Sequence, residues 1–461
     1  MRNGIKMLNL ENVADRIREA LDSGNDKALR EILDGYHCAD LAEILQELKP
    51  EERIPAFNAI EEDKAAEMLE YALPQFQVEI LSEIGEEQAA KLILKMPHDE
   101  VADVFAEMEE DETEAYLNKL PDKISTEIRE LLSYKEDSAG GIMTPHVLTV
   151  NKDMKVEDVL SFIKIKAEKD EFELYYLYVT DNQKHLLGVV SLRALLTKPY
   201  KTKIEEIMTR DIVKLHIDDP QDAVADIFMK YQYSALPVVD LYNRLKGMIT
   251  WDDAQDIIEE ETTEEIYQTS GISTDFVDED EIIFGSTIDA VKARCPWLFI
   301  TLIGEFVAAN VASKFENTLN ALPIIAIFMP LLAGLGGNIG TQSITLMTRG
   351  LSTGQVTLNS ALYHIWKELR VGFLIGAFFG VMVSVVTWKW QSNWYFGVVV
   401  GIAMMINMTL ATLLGTITPF VLKKFKIDPA IASGPVIATT IDVLGLAIYF
   451  ALVTWYLLHI I

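Results

Sequence analysis

The sequence predicts a multidomain membrane protein: an all-α helical-repeat N domain, a duplicated α/β domain, an acidic connecting helix and a five-helix α transmembrane domain. Three observations carry this. Residues 291–461 hold 10 Lys/Arg and 5 Asp/Glu, whereas residues 1–290 hold 30 and 65, so a strongly acidic part precedes a weakly basic one. The acidic part contains two internal repeats of different period. The basic part contains five apolar stretches, about 296–313, 320–336, 363–388, 395–422 and 431–461. Several of these reach the roughly 20 residues that cross a bilayer as a helix.

Residues 1–135 form the helical N domain. From about Asp40 a pattern recurs roughly every 24 residues: LAEIL (41–45), AAEML (65–69), AAKLI (89–93) and TEAYL (113–117) open successive units. Pro50, Pro74, Pro97 and Pro121 follow at matching places. Proline suits a first helical turn and stops the helix before it, so each unit reads as helix, proline turn, helix. Such pairs stack into an all-α module, either a scaffold or an interaction arm. The opening residues lack the apolar core of a secretory signal, and a cytosolic N-terminus is expected. Cys38 and Cys295 lie in different halves and give no disulfide framework. The acidity argues against nucleic acid as a partner and is compatible with divalent cations.

The second repeat is stronger. IMTPHVLTVNKDMKVEDVLSFI (142–163) aligns with IMTRDIVKLHIDDPQDAVADIF (207–228), and each copy runs on into a valine-rich strand and a glycine turn. The order strand, helix, strand, strand, helix resembles a tandem pair of CBS domains, at 136–200 and 201–256. Nucleotide-binding copies of that module often carry Gly-x-x-Thr/Ser-x-x-Asp. The second copy has Gly247, Thr250 and Asp253, whereas the first has Gly188 and Ser191 but Ala194 in place of the acid. The resemblance implies at most one adenine-nucleotide (ATP) site, at Thr250 and Asp253, and a sensing module without catalytic machinery.

Residues 257–290 are the connecting helix and linker, the helix beginning near 251. Asp252, Asp256, Glu259 and Glu260 are spaced i, i+4, i+7, i+8 and share one face, with Asp253 beside them. Like charges at this density repel, and a divalent cation bridging them to another acidic surface relieves that repulsion; oxygen ligands suit Mg2+ or Ca2+. The competing reading is a solvated acidic helix.

Residues 291–461 form the membrane domain. Lys292, Arg294, Arg349, Lys367, Arg370, Lys423, Lys424 and Lys426 flank one side of the five stretches, and Lys314 and Lys389 the other. This places the C-terminus outside. Gly372, Gly376 and Gly380 allow close helix approach. Gly334, Gly336, Gly337 and Gly340 are expected to break the second span, and Pro330, Pro419 and Pro435 to add breaks that free carbonyl groups. The last stretch carries one acid, Asp442, and the first carries Glu305, a cavity or interface group. An ionisable group at membrane depth is costly and points to a pathway, with a helix-packing carboxyl as the alternative. No His/Cys metal cluster, Ser-His-Asp order or P-loop appears, so an enzyme is not expected.

Specific motifs complete the reading: Arg294-Cys-Pro-Trp-Leu298, Phe315-Glu316, Pro330 to Gln342 with its GGN-x-G core, Asp428-Pro-Ala430, Ser433, Pro435, and Ala438 through Asp442-Val-Leu-Gly445. With the domain order they resemble the MgtE family of magnesium channels and transporters over nearly the whole chain. Gly434 departs from relatives that carry Asn there. The resemblance implies a homodimer in the lipid of the cytoplasmic (inner) membrane that imports Mg2+. Asp442 and Ala438 would receive the hydrated ion, with Asn338, Gly337, Pro330, Ser433 and Pro435 along the pore. Cytosolic Mg2+ at Asp252, Asp253, Asp256, Glu259 and Glu260 would close it. The alternatives are a nucleotide-regulated transporter of another divalent cation (Co2+, Ni2+), and a membrane-anchored sensor without transport.

Overall fold

The computed structural model describes residues 10–167, 176–274, 277, 282–283, 285–431 and 434–460. The chain divides into two compact units, Met1–Ile258 and Glu259–Ile461.

The first unit opens on short helices, and the 24-residue repeat sets their spacing. Cys38–Gln46, Glu62–Glu70, Glu86–Ile93 and Glu110–Leu117 are the first helices of the four pairs. Leu41, Ala65, Ala89 and Thr113 are buried at one repeat position, and Leu45, Leu69, Ile93 and Leu117 at another. Equivalent side chains therefore fill equivalent places in one continuous core, as stacked repeats require. The second helices are Pro50–Phe57, Pro74–Glu83, His98–Ala106 and Asp122–Leu131. Pro50 and Pro74 occupy the first turn, and Pro97 and Pro121 immediately precede it.

Each CBS copy then builds a three-stranded sheet. In the first, β1 (Thr149–Asn151) runs parallel to β2 (Leu177–Thr180), which is antiparallel to β3 (Leu186–Val190). In the second, β4 (Leu215–His216), β5 (Ala235–Val239) and β6 (Leu245–Thr250) repeat that order. The copies interlock. Thr144, at the entry to the first, bridges Met248 of β6, and Thr209, at the entry to the second, bridges Val189 of β3. These crossings explain both turn glycines. A Cβ on Gly247 would stand 2.6 Å from the Thr144 carbonyl oxygen, and one on Gly188 would stand 2.6 Å from that of Thr209. The helix Trp251–Ser270 follows β6 directly and buries Ala254 and Ile257.

Among its described residues the second unit contains five helices long and apolar enough to cross a membrane. The first, Thr287–Ser313, starts nine residues before its apolar run because Ser286 and Asp289 form a capping box there. The second, Met329–Ser352, is preceded by a 3-10 turn over Pro323–Phe328. The third is Ala361–Gln391, the fourth Trp394–Lys424 and the fifth Gly434–Ile460. The fourth is the most enclosed, with 56% of its most apolar window buried against 6% for the first.

Two expectations are corrected here. The second span is not broken at its glycines but is one helix through Gly334, Gly336, Gly337 and Gly340. Of these, Gly336 and Gly340 serve close approach rather than bending, whereas Gly334 has no neighbour within 4 Å of where its Cβ would stand. A Cβ on Gly340 would meet the Ile441 side chain at 2.2 Å, and one on Gly336 the Asn407 side chain at 2.5 Å. Pro330 and Pro435 sit in first turns, where proline costs no hydrogen bond; Pro419 does lie inside its helix. The third and fourth helices meet as expected: Gly376 lies against the Met405 carbonyl, and Gly380 and Gly401 lie against each other's carbonyls.

Candidate metal centres

Asp442 lies on the fifth membrane helix. Its Oδ1 is buried and has no hydrogen-bond partner among the described residues. A buried acceptor left unsatisfied costs about 1–3 kcal/mol, and more when charged, so this oxygen is waiting for a donor or a cation. Ala438 lies one turn earlier, and a Cβ on Gly337 of the second helix would touch its Cβ at 3.5 Å. Small residues thus let the second and fifth helices pack closely one turn before Asp442. Glu305, on the exposed side of the first helix, is the charged group whose field reaches Asp442. The first helix comes close here because Gly304 has no side chain: a Cβ there would meet Thr439 at 2.1 Å.

The other pathway residues are more scattered. Asn338 follows Gly337 and is exposed on the second helix. Pro330 is two turns from Gly337, about 10 Å along the axis, and is exposed at the start of the helix. Pro435 is two turns before Asp442 and half-buried. Ser433 falls outside the described residues.

A second acidic centre lies in the first unit. Asp99 is 9% exposed, and its Oδ1 also has no hydrogen-bond partner among the described residues. Burial and the nearby Asp253 push its carboxyl up to about 7. Glu100 is pushed up to about 8 by burial and by Asp99, Asp103, Asp253 and Glu70. Burial together with Glu67 and Asp99 raises Glu70 to about 7. Carboxyls from Glu62–Glu70, His98–Ala106 and the start of Trp251–Ser270 therefore feel one another's charge, although among the described residues no three of them bring ligand atoms within 4.8 Å of one another. Carboxylate oxygens are the donor type that a hard divalent cation takes. Of the connecting-helix acids, Asp252 and Asp253 reach this cluster, whereas Asp256, Glu259 and Glu260 are exposed further along the helix.

Sequence reading missed Glu67, Glu70, Asp99, Glu100 and Asp103. Asp99 and Glu100 resembled the acidic first turns of the neighbouring repeats, such as Glu62 and Asp63 or Glu86 and Glu87, which the helix dipole alone explains.

In the second unit the end of the acidic helix meets the membrane helices. Glu265 pairs with Arg349 of the second helix at 2.8 Å. Gly271 ends the acidic helix with φ +79°, and a Cβ there would strike Pro435 at 2.7 Å. Gly434 lies against the Thr269 carbonyl; an Asn side chain at that position would need this contact to open. None of these contacts was anticipated from sequence.

At the nucleotide turn, the Thr250 hydroxyl donates to Asp253 Oδ2 at 2.5 Å and the Thr250 amide donates to the same oxygen at 3.1 Å. The pair is assembled, and Asp253 also faces Asp99 and Glu100.

A repeat-built helical domain, paired CBS domains and five helices long and apolar enough to cross a membrane, the last carrying Asp442, define a multidomain membrane protein of the transporter class. Comparison agrees: a divalent cation transporter family matches residues 329–452, an MgtE intracellular N domain family residues 36–137, and the CBS domain family residues 139–200 and 204–260. The chain belongs to the MgtE family. It is 35% identical to the magnesium transporter MgtE of Thermus thermophilus, over 96% of this chain and 98% of that one. It is also 33% identical to the magnesium transporter MgtE of Bacillus subtilis, over 73% of this chain and 74% of that one. Among solved structures, the cytosolic domain of the Mg2+ channel MgtE in complex with ATP matches at TM-score 0.50 and 34% identity, covering 53% of this chain and 99% of that one.

Proposed function

We propose that this chain imports Mg2+ across the cytoplasmic membrane as a homodimer, with Asp442 receiving the ion. The observation that carries this reading is the buried, unsatisfied Oδ1 of Asp442 beside Gly337 and Ala438. Mg2+ gives up water reluctantly, so a site with one carboxylate per subunit, which meets the ion through its waters, suits a hydrated ion. Its waters would donate to Asp442, to carbonyls near Ala438 and to Asn338. The relatives are named for magnesium, which favours this reading over Co2+ or Ni2+. The test is Mg2+ uptake by a Mg2+-requiring strain. Asp442→Ala should abolish rescue at wild-type membrane levels, and full rescue by that variant would sink the assignment.

The soluble acids form the sensor. At high cytosolic Mg2+ the ion holds Asp99, Glu100, Asp252 and Asp253 together, and Asp256, Glu259 and Glu260 take up further Mg2+ on the exposed face of the acidic helix; at low Mg2+ the repulsion among Asp99, Glu100, Asp252 and Asp253 separates them. Only binding that differs between the two states can shift the equilibrium. Glu265–Arg349 and Gly271–Pro435 support the end of the acidic helix as the element that acts on the pore.

Thr250 and Asp253 form the ATP site of the second CBS copy, supported by their hydrogen bonds. Thr250→Val should weaken ATP binding at least about tenfold in an equilibrium titration, and unchanged affinity would remove this role. The N-terminus is cytosolic and the C-terminus outside, supported by the Lys/Arg flanks. The division at 135, 200, 256 and 290 is part of the same proposal.

A further inference from the structure

Three side chains in the first unit serve neither the pathway nor the acidic cluster. His98 opens the helix His98–Ala106, Glu127 lies on Asp122–Leu131, and His146 lies on the segment that leads into β1. One ligand atom from each falls within 4.8 Å of the other two. His98 is 8% exposed. Its Nδ1 lies 3.1 Å from Glu127 Oε2, yet without hydrogen-bond geometry, so that buried nitrogen has no hydrogen-bond partner. The His98 and His146 rings stand edge to face, with centroids 4.5 Å apart. A buried imidazole nitrogen is ordinarily bonded. This one points into a space shared with a carboxylate and a second imidazole.

We propose that His98, Glu127 and His146 form a binding site for a borderline transition-metal dication of the Zn2+ class, separate from the Mg2+ sites. Imidazole nitrogen favours Zn2+, Co2+ and Ni2+, whereas Mg2+ and Ca2+ take oxygen ligands. Tetrahedral Zn2+ with bonds of 2.0–2.2 Å holds its donors roughly 3.3 Å apart. The His98–Glu127 pair is already near that spacing, and the ligand atom of the exposed His146 lies within 4.8 Å of both. Water fills the fourth position. Bound metal would tie two N-domain helices to the entry of the first CBS copy. It would also fix the helix that carries Asp99 and Glu100, so its occupancy bears on the acidic cluster without depending on the transport assignment.

The test uses the full-length chain in detergent, stripped of metal and titrated with Zn2+ against a chromophoric chelator in excess Mg2+. One tight Zn2+ per chain is expected that Mg2+ does not displace, weakened at least about tenfold in His146→Ala and in Glu127→Gln, and retained in His146→Cys. Co2+ in the same site should give the visible spectrum of tetrahedral coordination, lost in His146→Ala. Both altered residues are at least partly exposed, so folding is checked by the thermal melt without altering His98. Equal Zn2+ affinity in wild type and His146→Ala, displacement by Mg2+, or no tight site in wild type overturns the proposal.

Discussion

Asp442 and Asp99 each present a buried carboxylate oxygen with no hydrogen-bond partner, yet their surroundings are opposite. Asp442 lies among apolar helices with Glu305 as its one charged influence. Asp99 is one of a crowd that includes Glu100 and Asp253, with Glu70 beside them. A lone carboxylate attracts a cation without trapping it, which suits passage. A crowd of carboxylates repels itself until an ion arrives, which suits a switch. On the proposed reading, one chemical group serves two tasks through the number of like neighbours.

Exchanging charge for shape at the two sites sharpens the contrast. Asp442→Asn should cut Mg2+ uptake at least about a hundredfold at every cytosolic Mg2+ level. If Asp442→Asn retained uptake, the pathway reading would be lost. Asp99→Asn with Glu100→Gln should do the reverse, preserving uptake at low Mg2+ but shifting closure to at least about tenfold higher Mg2+, read by uptake or by protease protection. Normal closure in that double variant would remove the cluster from the sensor.

Acidity separates the sites in another way. Glu70, Asp99 and Glu100 bind protons more tightly when folded than when unfolded, at about 7, 7 and 8. Their contribution is therefore fully present below the unfolded carboxyl range and is lost as pH rises through 7 to 8. Without divalent ions the soluble part should melt a few °C lower at pH 8 than at pH 6, a loss on the order of 1 kcal/mol after solvent screening. Saturating Mg2+ should flatten that slope. A flat profile without Mg2+ would show that the acids are not crowded as described.

The smallest effect belongs to the contact between acidic helix and pore. Glu265→Gln removes a partly exposed pair with Arg349, worth about 0.2–1 kcal/mol. The Mg2+ concentration for half-closure should move no more than about fivefold. A larger shift would mean that this pair transmits the signal by itself.

Sequence alone determined the elements whose cause is local. The repeat spacing reports which face of each short helix is buried, and proline in or before a first turn announces the second helix of each pair. Asp442 stood out because one charge in a long apolar run has few physical explanations. Tertiary structure decided whatever depended on what lies across from a residue. Gly334 to Gly340 read as a break because glycine weakens an isolated helix, but the second span is one helix in which Gly336 and Gly340 pack against Asn407 and Ile441. Asp99 and Glu100 read as ordinary first-turn acids until the fold set them against Asp253. His98, Glu127 and His146 share no sequence motif, and folding alone brings their ligand atoms together. Periodicity along the chain encodes which side of an element is buried, but the neighbour that buries it comes from distant sequence.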